Sequence, residues 1–353
     1  MLIGPNTLYY VIVRPKGKLR EDFDFSDEKV RKPALLRPEM GERGTGDMAT
    51  TVIAITNQKG GVGKTVTAVN VAAILATEYG QRVLLIDADP QANATQSLLP
   101  PGEYDTLARL LAMPDAYYGA LLYHSSIRGL DVLPADDELR NLDVDLLQGE
   151  RPNLRAIRDL RDAMEEGDAY DCIVIDCPPA LSPACAAAIA ASTDVVIPIK
   201  VDAYSVRGMN ELTAQIDRLR SIYPDVHVAG CLPTMWYRSD TVEQGERLLQ
   251  EQAPVHVFAS HIRRSPKVDE STWTGEPVVS WSPRSAAAQD YRAFVTEFLG
   301  EGGGEGAGLI SPRLSSRPPG PPPQQNGPLR PSRGISWRPS ARAERPSSPL
   351  GTA

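Results

Sequence analysis

The sequence predicts an α/β fold: a mostly parallel, twisted sheet with helices on both faces. Three observations carry this. Short apolar runs recur along the chain, stretches with helical spacing separate them, and two of the runs end in aspartate. In order, Val52–Thr56 (VIAIT) is an apolar, β-branched run and Lys64–Tyr79 has helical spacing. Val83–Asp87 (VLLID) and Leu130–Leu133 (LDVL) are again strand-like. Asn153–Glu166 reads as helix, Cys172–Asp176 (CIVID) and Val195–Ile199 (VVIPI) as strands, and Val206–Ile222 as helix. Val226–Leu232 (VHVAGCL) and Val255–Phe258 (VHVF) are predicted strands flanking a helix over Thr241–Gln252. Near-continuous apolar strands fit a sheet buried on both faces, where ligands sit at the carboxyl ends of the strands.

The chain has 353 residues, 42% of them hydrophobic, enough for one large α/β domain or two small ones with a sizeable core. Net charge is −8, but it is partitioned. Residues 1–47 carry +1 and residues 301–353 carry +4, which leaves −13 on residues 48–300. That excludes a globally basic nucleic-acid binder while leaving room for a local basic patch. The longest apolar run, around Ala184–Ala191, is far short of a membrane span. The four cysteines form no CxxC pair, as expected of reduced thiols in a cytosolic protein. The four histidines lack metal-ligand spacing, and Trp236, Trp273 and Trp281 are expected to serve packing.

Three segments follow. Residues 1–47 form an irregular extension without periodicity, which native translation starting at Met48 would omit. Residues 48–300 form the α/β domain. Residues 301–353 hold 11 of the 31 prolines, with glycines and arginines, and read as a disordered tail.

The chemistry is concentrated after the first strand, in Asn57–Thr65 (NQKGGVGKT). Gly60, Gly61 and Gly63 permit backbone geometries that turn successive N–H groups, including that of Val62, toward phosphate oxygens. The helix that follows presents its positive end to the same anion. Lys64 supplies a point charge for terminal phosphates, and the Thr65 hydroxyl can coordinate Mg²⁺. The usual loop has glycine where this chain has Gln58, and a second lysine, Lys59, opens the motif. Two strand-terminal carboxylates accompany it, Asp87 in RVLLIDADPQAN and Asp176 in DCIVIDCPPA, with Asp89 just beyond the first.

The KGGVGKT pattern resembles the deviant Walker A motif of the ParA/MinD ATPases, a class of P-loop NTPases. The resemblance implies ATP and Mg²⁺ as cofactors. It implies that Lys59 reaches across a nucleotide-sandwich homodimer to the partner's phosphates, where Lys64 acts in its own chain. Asp89 then orients the attacking water, Asp87 lies near the metal shell, and Asp176 is the Walker B carboxylate that contacts Mg²⁺ through water. Thr65 joins them as a metal ligand.

The likeness spans roughly residues 51–299 and is greatest to the short ParA/Soj-type partition ATPases. LPTMWYRSD matches their loop near the base, placing Thr234 and Met235 at the nucleotide. KVDESTWTGEPVVSWSPRSAAAQDYRAF matches their C-terminal pattern. One departure stands out: Arg263 occupies the position of a family proline that lines the adenine pocket, so the resemblance carries base selectivity over less securely than phosphate binding. Arg238 and Lys267 match the positions at which Soj-like proteins hold DNA, and Arg264 is adjacent to the second. The implied function is a cytoplasmic, nucleoid-associated partition ATPase, weak alone and stimulated by a ParB-like adaptor. It would bind double-stranded DNA non-specifically and move plasmid, mobile-element or chromosomal DNA. The alternative is a MinD-like or orphan positioning ATPase for a non-DNA cargo. Against a membrane-cycling role, the chain ends in a proline-rich tail rather than a basic amphipathic helix. Lys59 argues against the metabolic enzymes that use related loops.

Overall fold

A computed structural model of the chain describes residues 50–112, 121–142, 153–202 and 204–300. The extension before residue 48 and the tail after residue 300 lie outside the described residues.

Seven strands form one sheet in the order β3-β4-β2-β5-β1-β6-β7, parallel except for the β3–β4 pair. They are β1 (Thr51–Ile55), β2 (Val83–Asp87), β3 (Tyr123–His124), β4 (Leu130–Leu133), β5 (Cys172–Asp176), β6 (Asp194–Lys200) and β7 (His227–Thr234). The two-residue repeat of the strands sorts their side chains onto two faces. Val52, Ala54, Leu84, Ile86, Ile173 and Ile175 point to one core, together with α3 (Leu107–Ala112), α4 (Ala156–Glu166), α5 (Pro183–Ala191) and α6 (Ser205–Arg220). Ile53, Ile55, Val83, Leu85, Cys172 and Val174 point to the other. That face is covered by α1 (Lys64–Thr77), α2 (Asn93–Leu98), α9 (Val278–Trp281) and α10 (Ala286–Phe298). The remaining helices are α7 (Asp240–Gln252) and α8 (Pro266–Thr274). Among the described residues no helix is long and apolar enough to cross a membrane.

Most strands fall within a residue or two of the expected positions, because continuous apolar runs have no other way to be buried on both sides. The alanine-rich run at residues 184–191 becomes the buried helix α5. Ser182 caps it through a bond from the Cys185 N–H, and Pro183 occupies the first turn.

The expected strand Val255–Phe258 is not one. It makes a single parallel bridge to β7, in which the Cys231 N–H donates to the His256 carbonyl (2.7 Å) and the Phe258 N–H to the Cys231 carbonyl (3.0 Å). Pairing stops because the next two N–H groups, of Ala259 and Ser260, turn to the Glu297 carboxylate on α10 (2.7 and 2.8 Å). Phe258 is then buried edge-on against Phe294, 5.0 Å between ring centroids.

The tryptophans divide. Trp236 packs, stacked on His261 at 4.1 Å with its indole N–H donating to Glu246 (3.0 Å). Trp273 does not pack: α8 buries only the small Ser271, and Trp273 stands 90% exposed.

All four cysteines are buried and free, as small apolar core residues.

Phe294→Ala should remove the ring that joins Phe258 and Phe298 in one core. Urea denaturation is expected to show a loss of about 3–5 kcal/mol; a loss below about 1 kcal/mol would mean the cluster does not hold α10 in place.

Candidate functional site

Strand register assembles the site. Asp87 on β2 lies opposite Asp176 on β5, which in turn lies opposite Ile55 at the end of β1. The three strands are neighbours, so both carboxylates emerge level with the start of the loop that follows β1. The chain leaves β1 through α1 on one face and crosses from β5 to β6 through α5 on the other. This divergence opens a crevice at the carboxyl end of β1.

The loop is built for an anion. Gly61 and Gly63 have φ of +68° and +86°, conformations that a side chain would strain. Gly63 is the N-cap of α1 and provides no side-chain cap to the first-turn N–H groups. Val62 is buried, and its carbonyl accepts from the Thr234 hydroxyl on β7 (2.8 Å), which anchors the loop across the sheet. Asn57 fixes the loop's opening: its amide donates to the Pro198 carbonyl (2.7 Å) and its side-chain oxygen accepts the Lys59 N–H (3.0 Å). Gly60 has open space around the position a Cβ would take.

Lys64 is buried, with its ammonium 3.3 Å from the Lys59 carbonyl. Burial lowers its pKa, opposed by the charges of Asp176 and Asp89. Asp87 is fully buried and pushed up to about 6 by that burial. Hydrogen bonds from Thr95 and from the Asp89 N–H act in the opposite direction. Its Oδ2 accepts both the N–H (2.8 Å) and the hydroxyl (2.7 Å) of Thr95, and its Oδ1 accepts the Asp89 N–H (3.1 Å).

Asp176 differs. Both of its oxygens are buried without a hydrogen-bond partner among the described residues. Burial pushes its pKa well above the carboxylate range, with Asp87 and Asp89 adding to the shift and the Thr65 hydroxyl and Lys64 opposing it. A buried carboxylate with open oxygens beside a hydroxyl suits a hard divalent cation with oxygen ligands. The donor set of Asp176 and Thr65 therefore fits a magnesium ion.

Asp89 is buried on the loop between β2 and α2, with its carboxylate accepting the Gln91 N–H (2.9 Å). Lys59 is exposed, and its ammonium is paired with Asp202 in the loop after β6. Met235, with φ of +53°, is partly exposed next to the buried Thr234. Arg263 turns to Asp290 on α10, with its guanidinium donating from Nε (2.9 Å) and Nη2 (2.6 Å).

An AAA domain family model matches residues 50–227. The chain is 34% identical over 251 residues to the chromosome partitioning protein ParA of Caulobacter vibrioides, covering 70% of this chain and 93% of that one. It is 32% identical over 258 residues to the sporulation initiation inhibitor protein Soj of Bacillus subtilis, covering 71% and 99%. The chain belongs to the ParA/Soj family of P-loop ATPases. Among solved structures, it is similar to a cobyrinic acid a,c-diamide synthase of Mycobacterium smegmatis with bound ATP analogue and magnesium. That likeness is 29% in sequence with a TM-score of 0.62, over 71% of this chain and 94% of that one.

In this ParA/Soj-family chain, Lys64, Thr65, Asp87, Asp89 and Asp176 converge at one end of β1, β2 and β5, with Thr234 and Met235 at the end of β7. The backbones of Trp236 and Arg263 bridge, and the Arg264 N–H donates to the Trp236 carbonyl (2.8 Å); Arg238 lies on the loop after β7 and Lys267 in the first turn of α8. Sequence reading missed Asp202 and Thr95. A hydroxyl eight residues past Asp87, near the start of a helix, was the available signal for Thr95.

Raised carboxylate pKa values mean that native protein holds protons the unfolded chain has released. Without nucleotide, stability should therefore fall as pH rises from about 4 through about 6. Asp176→Asn removes a buried group that resists ionising, and is expected to add about 1–2 kcal/mol of stability at pH 8 while weakening Mg²⁺-dependent nucleotide binding. Urea titrations and calorimetry check both; a destabilised Asp176→Asn with intact magnesium dependence would contradict this reading of the site.

Proposed function

We propose that the chain is an ATP- and Mg²⁺-dependent partition ATPase that dimerises on ATP, binds duplex DNA without sequence preference and is stimulated by a ParB-like adaptor. The observation that carries this is the exposed lysine opening the phosphate loop of a ParA/Soj-family chain. Lys64 already serves that loop from within, and Lys59 lies at its rim on an ion pair with Asp202. An exposed pair of this kind is worth about 0–1 kcal/mol, so Lys59 can exchange Asp202 for the phosphates of a second copy at little cost. The same edge offers apolar surface to a second copy. Leu181, Tyr204, Met235 and Tyr237 are exposed on loops following β5, β6 and β7.

In the proposed cycle the loop and Lys64 hold the triphosphate; Thr65 and Asp176 would hold magnesium, which when bound would supply charge neutralisation, and Asp87 would stand beside it. Asp89 orients water for in-line attack, and Lys59 of each chain stabilises charge on the other's nucleotide. Thr234 and Met235 border the base.

For DNA the candidates are Arg238, Arg264 and Lys267. Arg238 is 90% exposed and 3.9 Å from Glu243, and Lys267 is paired with Glu270 at 2.6 Å. Such exposed pairs yield readily to phosphates. Two copies double the patch, and each phosphate contact adds about 0.9 to the salt slope, which lets an acidic body hold DNA at low salt.

Light scattering should find Asp89→Ala monomeric with ADP and dimeric with ATP, while Lys59→Ala stays monomeric with both. An ATP-bound Lys59→Ala dimer would contradict the trans role. In the full chain, Arg238→Glu with Lys267→Glu is expected to remove the ATP-dependent part of plasmid binding and leave dimerisation intact. If wild-type protein shows no ATP-dependent DNA binding at low salt, the reading becomes a positioning ATPase for another cargo.

A further inference from the structure

Thr95 has no part in the roles assigned above, yet its side chain bonds directly to Asp87. It is buried on α2, eight residues beyond Asp87. Its hydroxyl and its N–H both donate to Asp87 Oδ2, at 2.7 and 2.8 Å. The same hydroxyl oxygen accepts the Ala135 N–H just beyond β4, at 3.0 Å. One side chain thus ties together the end of β2, the start of α2 and the end of β4. Asp87 in turn holds the next link, because its Oδ1 accepts the Asp89 N–H at 3.1 Å.

The loop between these anchors is tight. The Asp89 carboxylate accepts the Gln91 N–H, and the Asp89 carbonyl accepts the Ala92 N–H (2.8 Å). Ala92, a non-glycine residue, adopts φ of +54°. A residue in that region is retained only where its surroundings over-determine the backbone. Rotation of Asp87 about its side-chain bonds would release the Asp89 N–H, and with it the segment that aims the Asp89 carboxylate. Burying Asp87 without donors would also leave an unpaired charge, and Thr95 supplies two of its three bonds.

We propose that Thr95 is a positioning residue for hydrolysis: it clamps Asp87, and through the Asp87–Asp89 bond it sets where the Asp89 carboxylate stands. This rests on the reading of Asp89 as the water-orienting group. Its effect passes through two carboxylates, Asp87 and Asp89. Second-sphere partners of this kind cost about 10–100-fold in activity when removed, because the group they support loses its fixed direction.

The test compares full-length wild type with Thr95→Val, Thr95→Ser and Asp89→Ala. Thr95→Val keeps the shape and removes the hydroxyl donor; turnover is expected to fall about tenfold or more. ATP affinity and ATP-driven dimerisation should stay within about threefold, since neither depends on the aim of Asp89. Thr95→Ser restores the donor and should recover turnover to within about threefold of wild type. Hydrogen exchange of the Asp89 amide gives a readout independent of catalysis, expected faster in Thr95→Val than in wild type or Thr95→Ser. Should Thr95→Val not fold, Thr95→Cys replaces it with a similar volume and a weak donor, and is expected to slow turnover several-fold. Wild-type turnover in Thr95→Val, or Thr95→Ser as slow as Thr95→Val, overturns the proposal while a stalled Asp89→Ala leaves the reading of Asp89 standing. If Asp89→Ala turns over normally, both fall.

Discussion

The arrangement depends on an imbalance of buried charge. Three carboxylates, Asp87, Asp89 and Asp176, lie buried around one buried ammonium, Lys64, at the carboxyl ends of adjacent strands. Two of the three are engaged by backbone and hydroxyl donors, whereas both oxygens of Asp176 remain without a partner among the described residues. Leaving such a group unpaired is costly, and a divalent cation held by Asp176 and Thr65 would complete it. The fold accepts the cost because the sheet holds these positions rigidly. Alternate strand residues fill two cores, so Asp176 cannot turn outward without withdrawing β5 from both.

The same imbalance gives the second copy its place in the proposed cycle. A bound triphosphate adds several negative charges to a site where one chain offers Lys64 and the N-terminus of α1. A divalent cation on Asp176 and Thr65 covers part of that charge. Lys59 stands at the rim and is held by Asp202 until something more negative competes for it. In this reading, assembly of the dimer and completion of the catalytic charge are one event, and hydrolysis dismantles both.

Much of this was legible in the sequence, for identifiable reasons. Continuous apolar runs ending in aspartate specify strands buried on both faces with carboxylates at their ends, and a glycine-rich turn before a helix has few alternatives. Val255–Phe258 misled because strand pattern is local, while its pairing was interrupted by Glu297, distant in sequence. The C-terminal helices carry mixed apolar spacing and small residues, and their burial depends on α1. Asp202 and Thr95 were invisible for the same reason: each matters through a partner that only the fold brings near. Arg263 shows the reverse case. In sequence it marks only the absence of a base-pocket proline, and the structure gives it a partner in Asp290 on α10.

The most direct test of the central claim, that one chain holds an incomplete site, is the ATPase rate per chain as a function of protein concentration at saturating Mg-ATP, without adaptor. A site completed by a second copy predicts turnover per chain that rises with concentration and levels off once the dimer is saturated. Turnover per chain that stays constant from nanomolar to high micromolar concentration would contradict it, and would mean that each chain carries a complete catalytic site of its own.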